Sequence, residues 1–158
     1  MRKYAETYYD FLMVIDWDNP LFVEGIKEGK TKFLSNMMVN SKVGSRHLYG
    51  DYYTPTAAEK VKNRDFKGLV FEHIVPKTKY ILKPCEERAR NKTLTVDFIE
   101  DLLNRYYKVA VVTTEEDKML NTNSMPDSWD GVNIFSRYEE VGIELLEKTC
   151  LQESKNVV

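Results

Sequence analysis

Apolar side chains recur at helical spacing near the start of the chain. Over about residues 3–15 they predict a helix, and the Asn19-Pro20 pair that follows would end it. Residues 21–53 contain four glycines and predict an irregular region with, at most, short strands. Residues 54–64 predict a short helix in which Thr54 or Thr56 is the N-cap and a proline lies in the first turn.

In the second part of the chain the pattern changes to two strands separated by a helix. Residues 67–75, KGLVFEHIV, are rich in β-branched and aromatic side chains and are bounded by Gly68 and Pro76, which predicts a strand. Residues 109–113, VAVVT, predict a second strand. Between the strands, the segment TVDFIEDLLNRYY opens at Thr95 and places its apolar residues on one face of a predicted helix.

Two further helices are predicted after the second strand. Thr113 and Thr114 precede Glu116 and Asp117 in a capping-box pattern, which predicts a helix that continues through the segment EEDKMLN. A last amphipathic helix is predicted over about residues 132–148. The pattern as a whole is typical of a small α+β protein with N- and C-terminal flanking helices.

Length and composition favour one small domain over residues 1–158. A chain of this length can bury a single core, and it contains no internal repeat, low-complexity segment or linker. No stretch approaches the roughly 20 apolar residues that cross a bilayer, and no small-residue cleavage site follows the first apolar run. Cys85 and Cys150 lack metal-ligand spacing, so we expect two reduced thiols and a cytoplasmic protein.

The net charge of −2 hides an asymmetry along the chain. Residues 27–92 contain 15 lysines and arginines against 7 acidic residues, a balance of +8, so the remaining residues carry −10. A basic middle segment suits contact with a phosphate backbone, whereas acidic flanks limit non-specific binding. Ordinary solvated faces would explain the same charges, and the sequence leaves both interpretations open.

The pair Glu72-His73 at the end of the first predicted strand is the main candidate for chemistry. A carboxylate and an imidazole next to buried positions are costly unless they are paired or bound to a metal. Neighbouring residues of a strand point to opposite faces, so the two side chains would have different roles. Phosphodiester hydrolysis needs such a division, because an ion neutralises charge on the phosphate while a base takes a proton from water.

These residues carry a resemblance to a known family. The segment LVFEHIVPK resembles the first strand and loop of HNH nucleases, the ββα-metal or His-Me finger family, and VAVVTTEEDKMLN resembles their second strand and helix. The resemblance covers residues 67–121 and implies strand, loop with inserted helix, strand and helix. It implies that Glu72 and Asp117 are metal ligands, that His73 is the general base, and that Asn121 is a weaker third ligand or an orienting group.

The implied ligand set predicts one divalent ion, Mg²⁺ or Mn²⁺, because all of its donor atoms are oxygens. Two features depart from the family. Asp117 and Asn121 stand where histidines are usual, and 43 residues separate His73 from Asp117. Four cations near the motif are candidates for substrate binding and could hold phosphates, although each could equally be a plain surface charge: Arg46, Arg64, Lys77 and Lys79.

The sequence therefore favours a metal-dependent HNH-type endonuclease acting on nucleic acid, with DNA favoured over RNA. A non-catalytic inhibitor of phage or mobile-element type that captures a partner protein is the alternative, and the acidic flanks favour it. An inactive HNH fold that only binds nucleic acid is the third interpretation. A homodimer would suit cleavage of both strands of a duplex and is left open. Nothing supports a nucleotide-cofactor enzyme or a serine hydrolase, since P-loop, GxGxxG and GxSxG motifs are absent.

Overall fold

The computed structural model describes residues 1–39 and 44–151. Its helices and strands, in chain order, are α1 (Arg2–Met13), α2 (Pro20–Gly25), α3 (Lys27–Val39), β1 (Tyr52–Tyr53), α4 (Pro55–Lys62), β2 (Leu69–His73), α5 (Lys83–Arg90), α6 (Val96–Tyr106), β3 (Val109–Thr113), α7 (Thr114–Asp117), α8 (Ser136–Glu140) and β4 (Leu146–Glu147). Short 3₁₀ helices cover Arg46–Tyr49 and Lys148–Leu151, and a π-helical turn covers Thr78–Leu82. The protein is α+β, as the sequence predicted.

The chain forms two compact units. The first is built from the described residues of Met1–Ser41 and Lys77–Tyr107, and the second from those of Lys42–Pro76 and Lys108–Val158. All four strands lie in the second unit, and the first contains only helices and turns. The segment that separates β2 from β3 in the sequence therefore contributes mainly to the first unit. No helix among the described residues is long and apolar enough to cross a membrane.

The first unit is organised by the predicted helices α1 and α6, which pack against each other. Tyr8 and Leu12 are fully buried on one face of α1, and Ile99 and Leu103 are fully buried on α6. Buried residues on one face of a helix recur every three to four positions, and this apolar spacing is what predicted both helices from the sequence. The Thr95 hydroxyl accepts a hydrogen bond from Phe98 N at 3.2 Å, so α6 begins at the predicted cap.

Residues 20–39 are helical, which corrects the expectation of an irregular region there. The Asn19-Pro20 pair follows α1, but it also begins α2, because the Asn19 side chain accepts from Phe22 N at 3.2 Å and proline is tolerated in a first turn. In α3, Lys30 is almost buried and forms an ion pair with Glu86 at 2.5 Å. A lysine at a core-facing position disguised the apolar spacing of this helix.

The second unit is a mixed four-stranded sheet in the order β2-β3-β1-β4. Strand β3 pairs antiparallel with β2 and parallel with β1, whereas β4 pairs antiparallel with β1. Both predicted strands, β2 and β3, are confirmed. Every residue of β3 is buried, and its side chains alternate between two apolar clusters: Val111 belongs to one, Ala110 and Val112 to the other.

The helix predicted over residues 132–148 is wrong in extent. Only α8, Ser136–Glu140, forms, and it is followed by β4 at the edge of the sheet. Gly142 adopts a positive φ of 71° two residues after α8, and its N–H bonds the carbonyl of Glu139 at 3.1 Å. A glycine in the left-handed region just past a helix is a common termination signal, which the apolar periodicity does not register.

Cys85 provides a test of the core of the first unit. It is a free, fully buried cysteine, and burial, with the charge of Glu86, raises the pKa of its thiol to about 12. At pH 9 about one Cys85 thiol in a thousand is then ionised, and only the thiolate reacts. We expect iodoacetamide to alkylate Cys85 in a Cys150→Ser variant at least about a hundredfold more slowly in buffer than in urea. Mass spectrometry of timed samples measures both rates, and equal rates would contradict the buried placement.

Candidate functional site

Glu72 is held by a buried arginine that sequence reasoning had not singled out. Glu72 lies on β2, and Arg137 lies on α8, 65 residues later in the chain. Arg137 Nη2 donates to Glu72 Oε1 at 2.9 Å, and the two side chains are 1% and 17% exposed. A charge so fully removed from water requires an opposite charge and complete hydrogen bonding, and this ion pair supplies the first of these.

The remaining donors of Arg137 bind backbone carbonyl groups. Nε donates to Ile74 O at 3.1 Å, Nη1 to Asn121 O at 2.6 Å, and Nη2 also to the carbonyls of His73 and Ile74. The planar guanidinium suits this role because its N–H groups point in fixed directions. Arg137 therefore joins the end of β2, the turn that contains residue 121, and α8 at one point.

Glu72 also experiences the charge of Asp117. Burial raises the pKa of the Glu72 carboxyl, Arg137 opposes that rise, and the nearby negative charge of Asp117 adds to it. Asp117 is the last residue of α7, which begins directly after β3. Its Oδ1 is buried and has no hydrogen-bond partner within the described residues. The charge of Asp117 therefore acts on Glu72, the other carboxylate that the sequence proposed as a metal ligand.

Tyr138 directly follows Arg137 on α8. Its side chain is 1% exposed, and its hydroxyl has no hydrogen-bond partner in the described part of the chain. The pKa of this hydroxyl is raised mainly by burial and next by the charge of Glu72, with smaller contributions from Asp117 and Glu116, while Arg137 lowers it. The charges of three carboxylates and one guanidinium therefore act on the Tyr138 hydroxyl.

Glu116 belongs to the capping box that the sequence predicted. Glu116 Oε2 accepts from Thr113 N at 2.7 Å and from Thr54 Oγ1 at 2.8 Å, while Thr113 Oγ1 accepts from Glu116 N at 3.2 Å. The carboxylate is therefore engaged in starting α7 and in joining it to the residue that caps α4. The charge of Glu116 acts on the Tyr138 hydroxyl, whereas its hydrogen bonds stabilise the start of α7.

His73 occupies the last position of β2, opposite Val109 of β3. Because side chains alternate along a strand, His73 and Glu72 point to opposite faces of the sheet, as the sequence indicated. His73 also contributes its carbonyl oxygen to Arg137, so its backbone is held by the same guanidinium that binds Glu72. Its proposed role as a base remains a prediction.

Asn121 does not lie one helical turn after Asp117, which corrects the expected helix over residues 115–121. Helix α7 ends at Asp117. The Asn121 side chain instead accepts from Asn123 N at 3.0 Å and from Ser124 N at 3.3 Å, which forms a turn. Asparagine favours such local bonds over helix continuation. The oxygen expected to bind a metal is therefore engaged with the backbone.

Two of the four cations proposed to bind substrate lie in the same unit as Glu72. Arg46 is positioned with its guanidinium carbon 5.8 Å from the centre of the Phe71 ring. Arg64 is exposed and adopts a positive φ of 58° in the loop after α4. Both belong to the second unit and precede β2 in the chain.

The other two cations, Lys77 and Lys79, belong to the first unit. Lys77 Nζ donates to Thr31 O at 3.1 Å and to the hydroxyl of Ser35, and burial lowers the pKa of its amine. Its hydrogen bonds therefore anchor α3. Lys79 is exposed, with Nζ 5.4 Å from the centre of the Tyr80 ring.

Arg137 and Tyr138 are the site residues that sequence reasoning missed. Neither residue was proposed as a site residue from the sequence. The available signal was the segment IFSRYEEV, in which one arginine stands between large apolar and aromatic residues. A lone cation in such a run has to be paired if the run is buried. The sequence does not indicate which distant carboxylate is its partner.

The residues present fit a divalent ion only in part. No group of three or more His, Cys, Asp or Glu side chains suited to a metal occurs in residues 1–39 and 44–151. With Asn121 engaged in its turn, Glu72 and Asp117 remain, and Asp117 offers the unpartnered Oδ1. Mg²⁺ is commonly bound by one or two carboxylates, with water and phosphate completing its coordination. Two carboxylates are therefore sufficient for that ion.

Comparison with known proteins gives no family for this chain: no family model, curated protein or solved structure matches it. Its function has to be argued from the site.

The buried ion pair predicts a large loss of stability when its cation is removed. We expect Arg137→Met to lower the free energy of unfolding by about 3–5 kcal/mol, because it leaves a buried carboxylate without its partner. Urea denaturation of the variant and of the wild type measures the difference. In a Glu72→Gln background the same substitution should cost less, since no buried carboxylate is left without its counter-ion.

Arg105→Met is the matched control. Arg105 forms an exposed i,i+4 ion pair with Asp101 at 3.1 Å, and pairs of this type contribute little. If Arg137→Met were as stable as Arg105→Met, Arg137 would not hold the site together.

Proposed function

We propose that this protein is a divalent-metal-dependent endonuclease of HNH type that hydrolyses phosphodiester bonds in DNA. The proposal is supported by two carboxylates, Glu72 on β2 and Asp117 at the end of α7. Asp117 contributes a buried oxygen without a hydrogen-bond partner among the described residues, and its charge acts on Glu72. Unpartnered buried oxygens are rare in folded proteins and require a reason.

The proposed ion is Mg²⁺ or Mn²⁺, held by the carboxylates of Glu72 and Asp117. Such an ion supplies neutralisation of the negative charge that develops on the scissile phosphate. The remaining work belongs to the chain itself. Arg137 fixes the Glu72 carboxylate through Oε1, which leaves the carboxylate little rotational freedom. His73 would take the proton from the attacking water.

DNA is the proposed partner because cations of the same unit flank the strand that carries Glu72. Arg46 and Arg64 precede β2 in the chain, and phosphate contacts of this type position a duplex without reading its sequence. Lys77 is not part of this surface, since its amine is bonded to α3. The free thiol of Cys85 suits the cytoplasm, where we propose that the protein acts.

A second candidate function follows from the same ion pair. Arg137 already supplies a positive charge to Glu72, so the pair could replace a metal and leave a structural centre. The protein would then be a non-catalytic module that binds nucleic acid, or one that captures a partner protein. The unpartnered oxygen of Asp117 favours the enzyme over this alternative.

A cleavage assay separates these functions. Purified protein is incubated with plasmid DNA and structured RNA in Mg²⁺, Mn²⁺ or EDTA. We expect cleavage of DNA that needs the metal, a loss of cleavage in Asp117→Asn because a ligand of the ion is removed, and a loss of about 10²–10⁴-fold in His73→Ala. Gel electrophoresis of timed samples gives the rates.

Glu115→Gln is the control for Asp117→Asn, because Glu115 lies in the same short helix and is exposed. It should cleave as the wild type does. No cleavage with any metal, together with binding to DNA, would establish the non-catalytic module. Neither cleavage nor binding would point to a protein partner.

A further inference from the structure

A cavity of about 280 Å³ lies beside the edge strand β4 in the second unit. Three aromatic rings, two aliphatic side chains and one carboxylate line it: Tyr52, Phe135, Tyr138, Ile143, Leu145 and Glu147. Pockets for drug-sized ligands usually measure about 300–1,000 Å³, so this cavity suits a smaller molecule.

Two of the aromatic walls meet nearly at a right angle. The ring centroids of Tyr52 and Phe135 are 5.1 Å apart, and the planes of the two rings differ by 78°. Tyr138 belongs to a buried apolar cluster, against which Tyr52, Phe135, Ile143 and Leu145 pack while they stay partly exposed. The core therefore holds walls that solvent still reaches. Sites built from several aromatic rings are a common means of binding organic ammonium groups, because the face of a ring attracts a cation.

Glu147 supplies the charge of this cavity. It is the cross-strand partner of Tyr52 in the antiparallel pair of β1 and β4. Side chains of such partners lie on the same face of a sheet, with their Cβ atoms about 4.5–5.5 Å apart. Glu147 is exposed, and within residues 1–39 and 44–151 it forms no ion pair. The amine of Lys148, the next residue, lies 5.6 Å from the centre of the Tyr49 ring.

The charge of the surrounding chain has the same sign. Residues 139–147, EEVGIELLE, include four glutamates and no lysine or arginine. A carboxylate at the cavity repels anions, and a single carboxylate among apolar walls offers too few oxygen donors for a metal ion. A ligand that is both cationic and largely apolar matches the charge and the walls together.

We propose that this cavity binds a small organic ammonium ion, whose apolar body contacts Tyr52 and Phe135 and whose charge faces the Glu147 carboxylate. The inference goes beyond the proposed function and does not rest on it, because none of the six lining residues takes part in the proposed ion site. It assigns a ligand of definite chemistry to the edge of the sheet, where the sequence indicated no site.

The test compares a cationic probe with a neutral probe of similar shape. Butylammonium chloride and n-butanol are each titrated into isotope-labelled protein at neutral pH, and the backbone amide shifts in NMR spectra report where and how tightly each probe binds. We expect butylammonium to shift the amides of the lining residues. It should bind at least about threefold more tightly than n-butanol, because only the cation interacts with the rings and with the carboxylate through its charge.

Two variants separate the contributions of the carboxylate and the ring. Glu147→Gln keeps the shape of the side chain but removes its charge, so butylammonium should bind about two- to fivefold more weakly while n-butanol binds as before. Phe135→Leu keeps an apolar wall without the ring, and it should weaken butylammonium binding by about two- to tenfold. Glu144→Gln is the matched control, because Glu144 is an exposed glutamate three residues before Glu147 that does not line the cavity. It should bind both probes as the wild type does.

Other results would overturn the inference. Equal affinity for the two probes would mean that the cavity takes a neutral apolar ligand. Butylammonium binding that Glu147→Gln leaves unchanged would show that the carboxylate has no part in recognition. Amide shifts confined to other parts of the chain would reject the site. Tighter binding of N-acetyl-lysine methylamide than of butylammonium would replace the free amine with a lysine side chain of a protein partner. DNA cleavage is measured separately, so the proposed function stands or fails independently of these results.

Discussion

The buried guanidinium of Arg137 is the interaction on which the second unit depends. A charge that is 1% exposed is stable only if every donor finds an acceptor, and Arg137 finds the Glu72 carboxylate and the carbonyls of His73, Ile74 and Asn121. These acceptors come from the end of a strand and from a turn, while the arginine comes from a helix. One side chain thus defines the relative positions of three segments that are distant in sequence.

The electrostatics of the site follow from this arrangement. Arg137 stabilises the ionised form of Glu72, but burial and the charge of Asp117 act against it, so the pKa of Glu72 remains raised. One guanidinium among three carboxylates leaves the centre negative. A further cation would relieve that imbalance.

Sheet pairing explains how a long separation in sequence becomes a short distance in space. His73 pairs with Val109, and Leu69 pairs with Thr113. Residues 74–108 therefore leave the strand pair after His73 and return to the same end of the pair at Val109. The capping box at Thr113 then turns the chain immediately after β3. The charge of Asp117, the last residue of α7, acts on Glu72. An antiparallel pair brings distant residues together whatever the length of the connection.

Local rules determined much of this protein from its sequence: the buried faces of α1 and α6, both long strands, and the caps at Thr54, Thr95 and Thr113. Each of these features depends on residue spacing or on a hydrogen bond between residues a few positions apart. Such local interactions do not require knowledge of the tertiary structure. Tertiary structure determined three other features: the partner of Arg137, the turn at Asn121 and the end of α8 before Gly142. At Asn121 and Gly142 two local signals compete, and packing selects one. For Glu72 the sequence identified the carboxylate, but only the tertiary structure brought Arg137 beside it, because ion pairs across 65 residues leave no periodic trace.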